Sequence, residues 1–165
     1  MKKTKIKYLV ADVTEPVGTE RRVIIHVCND QNVMGAGVAK AIADKWPSVK
    51  ARYHAFMRGA GFLGDTQFVK VEDGICVANM IAQAGLKSGS NPKPLKDDSL
   101  HSCLNAVRDV AKSHGASVHV PFKMGCGLAN GSWETVEKLL VSELCEHGVS
   151  VIVYDKFSHR PPYSK

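Results

Sequence analysis

The sequence has no pair of cysteines spaced as Cys-x-x-Cys. Its five cysteines, Cys28, Cys76, Cys103, Cys126 and Cys145, are odd in number and scattered. That argues against a disulfide framework and for a reducing, cytoplasmic setting. His26 and Cys28 lie two apart, but no second ligand pair follows at zinc-site spacing, so neither a metal nor a cofactor is expected. No apolar run approaches the roughly 20 residues that a membrane helix needs. The lysine-rich start (Lys2, Lys3, Lys5, Lys7) lacks the apolar segment of a signal peptide, so it reads as the approach to a first strand, with no membrane partner. Aromatic residues make up only 7% and do not interleave with basic ones. The net charge of +6 therefore reads as scattered solvated lysine rather than a nucleic-acid track, and it also suits a pyrophosphate-bearing ligand.

What is present is ordinary in bulk and orderly in sequence. With 44% hydrophobic and 23% charged residues, the 165-residue chain reads as one soluble domain, expected over 1–157 as a monomer, with a loose tail at 158–165. Residues rich in β-branching predict strands at 5–12 and 23–27. Val38, Ile42 and Trp46 share one helical face before Pro47, and a second short helix is expected over 49–57. Asp73-Gly74 predicts a hairpin joining strands at 68–71 and 75–81. A loop at 87–96 precedes a helix marked by Leu100, Leu104, Val107 and Ala111 and closed at Gly115. A strand at 117–120, a helix carrying Val136 to Leu144, and a strand at 149–154 complete the chain. Repeated helix–Gly–strand units imply parallel pairing, so the expected fold is α/β, a three-layer α/β/α sandwich with a mixed central sheet.

Two stretches, ninety positions apart, carry the functional signal. In each, an apolar strand feeds a small-residue loop and then a helix: Val27-Cys28-Asn29 into Gly35-Ala36-Gly37-Val38, and Val118-His119-Val120-Pro121 into Met124-Gly125-Cys126-Gly127-Leu128. Such loops present bare backbone N–H groups to phosphate. A pair of them suggests one ligand with a diphosphate at its middle. Gly59-Ala60-Gly61-Phe62-Leu63-Gly64 matches the dinucleotide fingerprint only as letters, because a helix precedes it and a strand follows. Asp12 reads either as a turn residue or as the acceptor for an exocyclic amine. His26 and His119 sit in apolar strand patterns, as buried structural histidines do. Trp133 reads as core, and Tyr154 and Phe157 as core or as an aromatic wall for a base.

Over residues 5–157 these pieces together resemble a macro domain, the ADP-ribose-binding module. The resemblance rests on Asp12, His26-Val27-Cys28-Asn29, Met34-Gly35-Ala36-Gly37-Val38-Ala39, Asn79-Met80-Ile81-Ala82-Gln83, Pro121 to Leu128, and Val153-Tyr154. The branch most resembled contains ADP-ribose 1''-phosphate phosphatases and glycohydrolases that remove terminal ADP-ribose from protein or DNA. It implies that Asp12 and Val13 bind adenine beside Tyr154 or Phe157. Gly125, Cys126, Gly127 and Leu128 would give backbone N–H groups to the diphosphate, Asn29, Gly35 and Gly37 would surround the distal ribose, and Ala36, Val38, Pro121 and Met124 would complete the ligand site. The glycohydrolase lysine after the central strand is missing until Lys87, and the aspartate of the second loop is replaced by Ala129. The expectation is therefore a phosphatase with His26, Asn29 and Asp30 as catalytic groups, with a glycohydrolase and a non-catalytic reader as the alternatives.

Overall fold

A computed structural model describes residues 2–156. Phe157 and the 158–165 tail lie outside the described residues. In chain order the elements are β1 (Lys7–Leu9), β2 (Arg22–Asn29), α1 (Gly37–Lys45), α2 (Pro47–Gly59), β3 (Thr66–Glu72), β4 (Ile75–Gln83), α3 (Asp97–His114), β5 (Ser117–Pro121), α4 (Trp133–Glu143), a 3-10 turn (Cys145–His147) and β6 (Val151–Tyr154). Every expected element forms. The first strand is shorter than expected because the chain turns away after Leu9 to cover a sheet face instead of extending the edge.

The six strands form one sheet in the order β1-β6-β5-β2-β4-β3. All neighbouring pairs are parallel except the β3–β4 hairpin, whose turn places Gly74 at φ +75°. Strand β4 is buried along nearly its whole length, which explains why it is apolar apart from Asn79 and the terminal Gln83. Alternation along β2 sends Val23 and Ile25 to the face covered by α3 and α4, where they meet Leu104, Val107, Val120 and Leu140. Ile24 faces the other way, onto Ile42, Trp46 and Val49 of the α1–α2 layer. Burying each such side chain stabilises the fold by roughly 1.5–3 kcal/mol. Helix α3 ends on Gly115, whose φ of +62° gives the left-handed cap that the sequence signalled. Among the described residues no helix is long and apolar enough to cross a membrane.

The connections leaving β2 and β5 fix where a ligand can sit. These strands are neighbours, yet the chain after β2 goes to α1 and α2 on one face, while the chain after β5 goes to α4 on the other. Such a reversal opens a crevice at the carboxyl ends of parallel strands.

Candidate functional site

An open cleft of about 490 Å³ lies at that reversal, between the loop after β2 and the loop after β5. The first wall is shaped by Asn29. Its Oδ1 accepts from the Gln31 amide (2.9 Å), the Val33 amide (3.2 Å) and the Tyr53 hydroxyl (2.8 Å). Its Nδ2 donates to the Val33 carbonyl at 2.7 Å. Asn32, at φ +61°, takes a 2.5 Å bond from His54 Nδ1, which fastens this wall to α2. The wall ends at Gly35, Ala36, Gly37 and Val38, all lining the cleft. Gly37 has φ +60°, and neither glycine has an atom within 4 Å of where a Cβ would stand. No side chain caps the start of α1, and its first turn holds no acidic residue. Its backbone N–H groups therefore give the cleft a positive end.

The second wall brings Pro121, Met124, Gly125, Gly127 and Leu128 to the cleft. Gly125 has φ +75°, with Leu95 and Val27 already packed on the side a Cβ would take. The loop closes where the Gly131 amide donates to the Gly125 carbonyl at 2.8 Å. Cys126 departs from expectation. Its amide already donates to the Lys123 carbonyl at 2.8 Å and its thiol turns back to the Met124 carbonyl, so it is committed to the loop's own turn. Among the described residues, the three non-glycine residues with positive φ are Asn32, Lys123 and Asn130. All three sit in the two walls, where strained backbone marks a loop whose shape matters.

A third loop, after β4, also borders the cleft. Gln83, Leu86 and Lys87 line the cleft. This loop is bonded to both walls. The Gly85 amide donates to Asp30 Oδ1 at 2.8 Å, while the Leu95 amide donates to the Ala129 carbonyl (3.0 Å) and Asn130 Nδ2 to the Pro92 carbonyl (2.9 Å). Asp30 thus ties two loops together, and it is not among the residues lining the cleft. The composition of the loop, rich in Gly, Ser, Pro and Lys, signals only a connection, so nothing local to the sequence places Lys87 at the cleft.

Asp12 follows β1 at the same sheet edge. Its carboxylate accepts from the Thr14 amide (2.9 Å) and hydroxyl (2.8 Å) and pairs with Lys156 at 3.4 Å. Partial burial pushes its carboxyl up, but the Thr14 bonds and Lys156 outweigh that and hold it below the usual carboxylate range. Val13 beside it is buried.

Among the expected site residues, Asp12, Val13, Asp30 and Cys126 are not part of the cleft lining, and His26 and Tyr154 are buried away from it. His26 is fully buried on the α1–α2 side of β2, not in the cleft, and its Nε2 lies 2.5 Å from Asn79 Oδ1. Burial pushes its pKa down to about 4, against a smaller upward pull from Asn79. It is a neutral core residue, because it lies within β2 under the α1–α2 layer, two residues short of Cys28, where the same face of the strand reaches the cleft. Tyr154 is only 3% exposed, and its hydroxyl is taken by the Val17 amide (2.9 Å) and His119 Nδ1 (2.7 Å). It is not an exposed wall for a base. Phe157 lies outside the described residues. Cys28 lines the cleft, but burial pushes its thiol far up and keeps it protonated. Among the described residues no group of three or more His, Cys, Asp or Glu could hold a metal ion.

Comparison with known proteins follows this geometry. Residues 25–140 match the family model described as Macro domain. A protein of unknown function from Bacteroides thetaiotaomicron is 38% identical, over 91% of this chain and 97% of that one, with a TM-score of 0.87. A macrodomain protein from Streptomyces coelicolor is 39% identical, over 92% and 99%, with a TM-score of 0.81. The macrodomain of Mycobacterium tuberculosis DarG is 25% identical, over 90% and 96%, with a TM-score of 0.73. No curated protein matches the sequence.

Proposed function

Because this chain belongs to the macro domain family, we propose that its cleft binds ADP-ribose as the end of a larger conjugate and hydrolyses the bond to the carrier. The observation that supports this best is the pair of small-residue walls facing each other at the strand-order reversal, one of them the uncapped start of α1. The diphosphate would lie between the amides of Gly125, Gly127 and Leu128 and the first turn of α1, where backbone N–H groups favour an anion. Asp12 would accept from the adenine amine. The distal ribose would sit toward Asn29 and Gln83.

Hydrolysis at the distal ribose adds water across the bond between its anomeric carbon and the carrier. The hydroxyl goes to the carbon and the proton to the departing group. Two cations line the cleft, Lys87 on the loop after β4 and Lys123 on the loop after β5; Lys87 would stabilise that departure. It would stand in for the lysine that the sequence lacks at the end of the strand itself. The expected phosphatase had His26, Asn29 and Asp30 as its catalytic groups, and a neutral imidazole in the core removes His26 from that set.

Calorimetry with ADP-ribose tests the binding half of the proposal. Incubation with ADP-ribosylated protein and ADP-ribosylated DNA tests the other half, with free ADP-ribose as the expected product. Binding without release from either conjugate would make the protein a reader. Release of inorganic phosphate from ADP-ribose 1''-phosphate would restore the phosphatase.

A further inference from the structure

The segment 10–21 covers the sheet face beside α1 and carries Asp12 near its start. It is held down by a chain of hydrogen bonds, buried through Ser117, His119 and Tyr154, in which the position of every proton follows from one carboxylate. Glu20 can only accept, so the Ser117 hydroxyl donates to Glu20 Oε2 at 2.9 Å. Ser117 Oγ must then accept from His119 Nε2, 2.8 Å away. That leaves His119 Nδ1 as a bare acceptor, and the Tyr154 hydroxyl donates to it at 2.7 Å. The Tyr154 oxygen in turn accepts from the Val17 amide at 2.9 Å. Both ends of the chain, Val17 and Glu20, lie in the same segment. Arg22 secures the same segment by donating to the Pro16 and Glu20 carbonyls, each at 2.9 Å. Burial favours the neutral ring that this arrangement needs.

We infer that His119 is a positioning residue for the adenine end of the ligand: as the neutral Nε2–H tautomer it fixes the Tyr154 hydroxyl on Val17 and so holds the loop in which Asp12 presents its carboxylate. The inference rests on the ADP-ribose reading above. It differs from a general packing role because it predicts which half of the ligand suffers and which substitution is tolerated.

Nitrogen-15 NMR of wild-type protein should show His119 as the Nε2–H tautomer, and the Nδ1–H tautomer would overturn the inference. His119→Gln keeps a donor toward Ser117 but loses the acceptor for Tyr154, whereas His119→Asn keeps that acceptor. Tyr154→Phe deletes only the hydroxyl and provides a folded variant if the histidine substitutions do not fold. His119→Gln and Tyr154→Phe should each speed Val17 amide exchange and weaken ADP-ribose about tenfold, the scale of one lost hydrogen bond. Ribose 5-diphosphate, which lacks the adenosine, should bind both as it binds wild type, and His119→Asn should restore ADP-ribose affinity. Unchanged Val17 exchange in Tyr154→Phe, or equal losses for the two ligands, would overturn the inference. If wild type binds neither ligand, the ADP-ribose reading fails, while Val17 exchange still decides the role of His119.

Discussion

The amide of Gly131 donates to the carbonyl of Gly125 across the mouth of the second wall, at 2.8 Å, with the Leu95 side chain packed beneath both. This contact makes three neighbouring glycines unequal. A Cβ on Gly131 would stand 2.3 Å from Leu95 Cδ2 and 2.8 Å from the Gly125 oxygen, and the second of these is backbone that cannot step aside. Gly131→Ala should cost about 1–3 kcal/mol, the range for an overpacked site, and lower the melting temperature. Gly125→Ala should cost about 1–2 kcal/mol from its positive φ alone. Gly127 has ordinary φ and open space, so Gly127→Val should melt like wild type yet lose ADP-ribose binding. Melting curves and calorimetry on the three variants check the ranking.

Asp12→Ala should weaken ADP-ribose binding about ten- to a hundredfold, since a hydrogen bond to a charged group contributes roughly 1.5–3 kcal/mol. Asp12→Asn retains an acceptor for the Thr14 amide and hydroxyl and should lose less. Titration calorimetry measures both. Wild-type affinity in the alanine variant would remove Asp12 from the site.

Lys87→Ala should slow release of ADP-ribose from a conjugate by roughly a hundredfold or more while leaving ADP-ribose affinity within about threefold. His26→Leu should do the opposite, sparing turnover but lowering stability by about 1–3 kcal/mol, because it strands the Asn79 carbonyl in the core. Turnover and urea melts on the two variants separate the roles. Full turnover in Lys87→Ala would exclude that side chain from the reaction.

Stability should rise with pH between about 4 and 6.5. Burial pushes both His26 and His119 down to about 4, while in the unfolded chain each titrates near 6.5. Between those values the unfolded chain binds more protons, so acidification favours it. The stabilisation is fully present above 6.5 and drains away toward 4, by an amount on the order of 3 kcal/mol per histidine. Asp12 and Glu20, both held below their ordinary values of 3.8 and 4.5, lose their contributions only at still lower pH. Urea midpoints measured at about pH 7 and pH 5 should therefore differ clearly, and a flat profile would contradict the burial of the two rings.

Most of the fold was legible because its signals are local. The Gly115 cap, the Asp73-Gly74 turn and the stripe from Leu100 to Ala111 each follow from residues close in sequence. The two walls were legible for the same reason, since each is a strand, a run of small residues and a helix start. The role of Asn29 in shaping the first wall was not, because its partner Tyr53 lies on α2 and no periodicity links them. Lys87 was hidden in a stretch whose composition says only loop. His26 illustrates the remaining gap: alternation identifies it as inward-pointing, but only the structure shows that it is covered by the α1–α2 layer while Cys28, two residues further along the same face, reaches the cleft.

The loop after β4 is bonded to the first wall through Asp30 and Gly85 and to the second through Leu95 and Asn130. Neither wall can swing outward without stretching it. Its two ends are also bonded to each other, the Ala84 amide donating to the Pro94 carbonyl at 2.9 Å and Asn91 Nδ2 to the Ala84 carbonyl at 2.8 Å, so this pinned base acts as a caliper on the gap between the walls. The tip at Ser88, Gly89 and Ser90 is exposed and stands outside the base. Residues inserted at the tip would leave the cleft unchanged, whereas changes at the base would reset its width while both glycine walls kept their sequences. Adapting this scaffold to a bulkier or slimmer carrier would begin at that base.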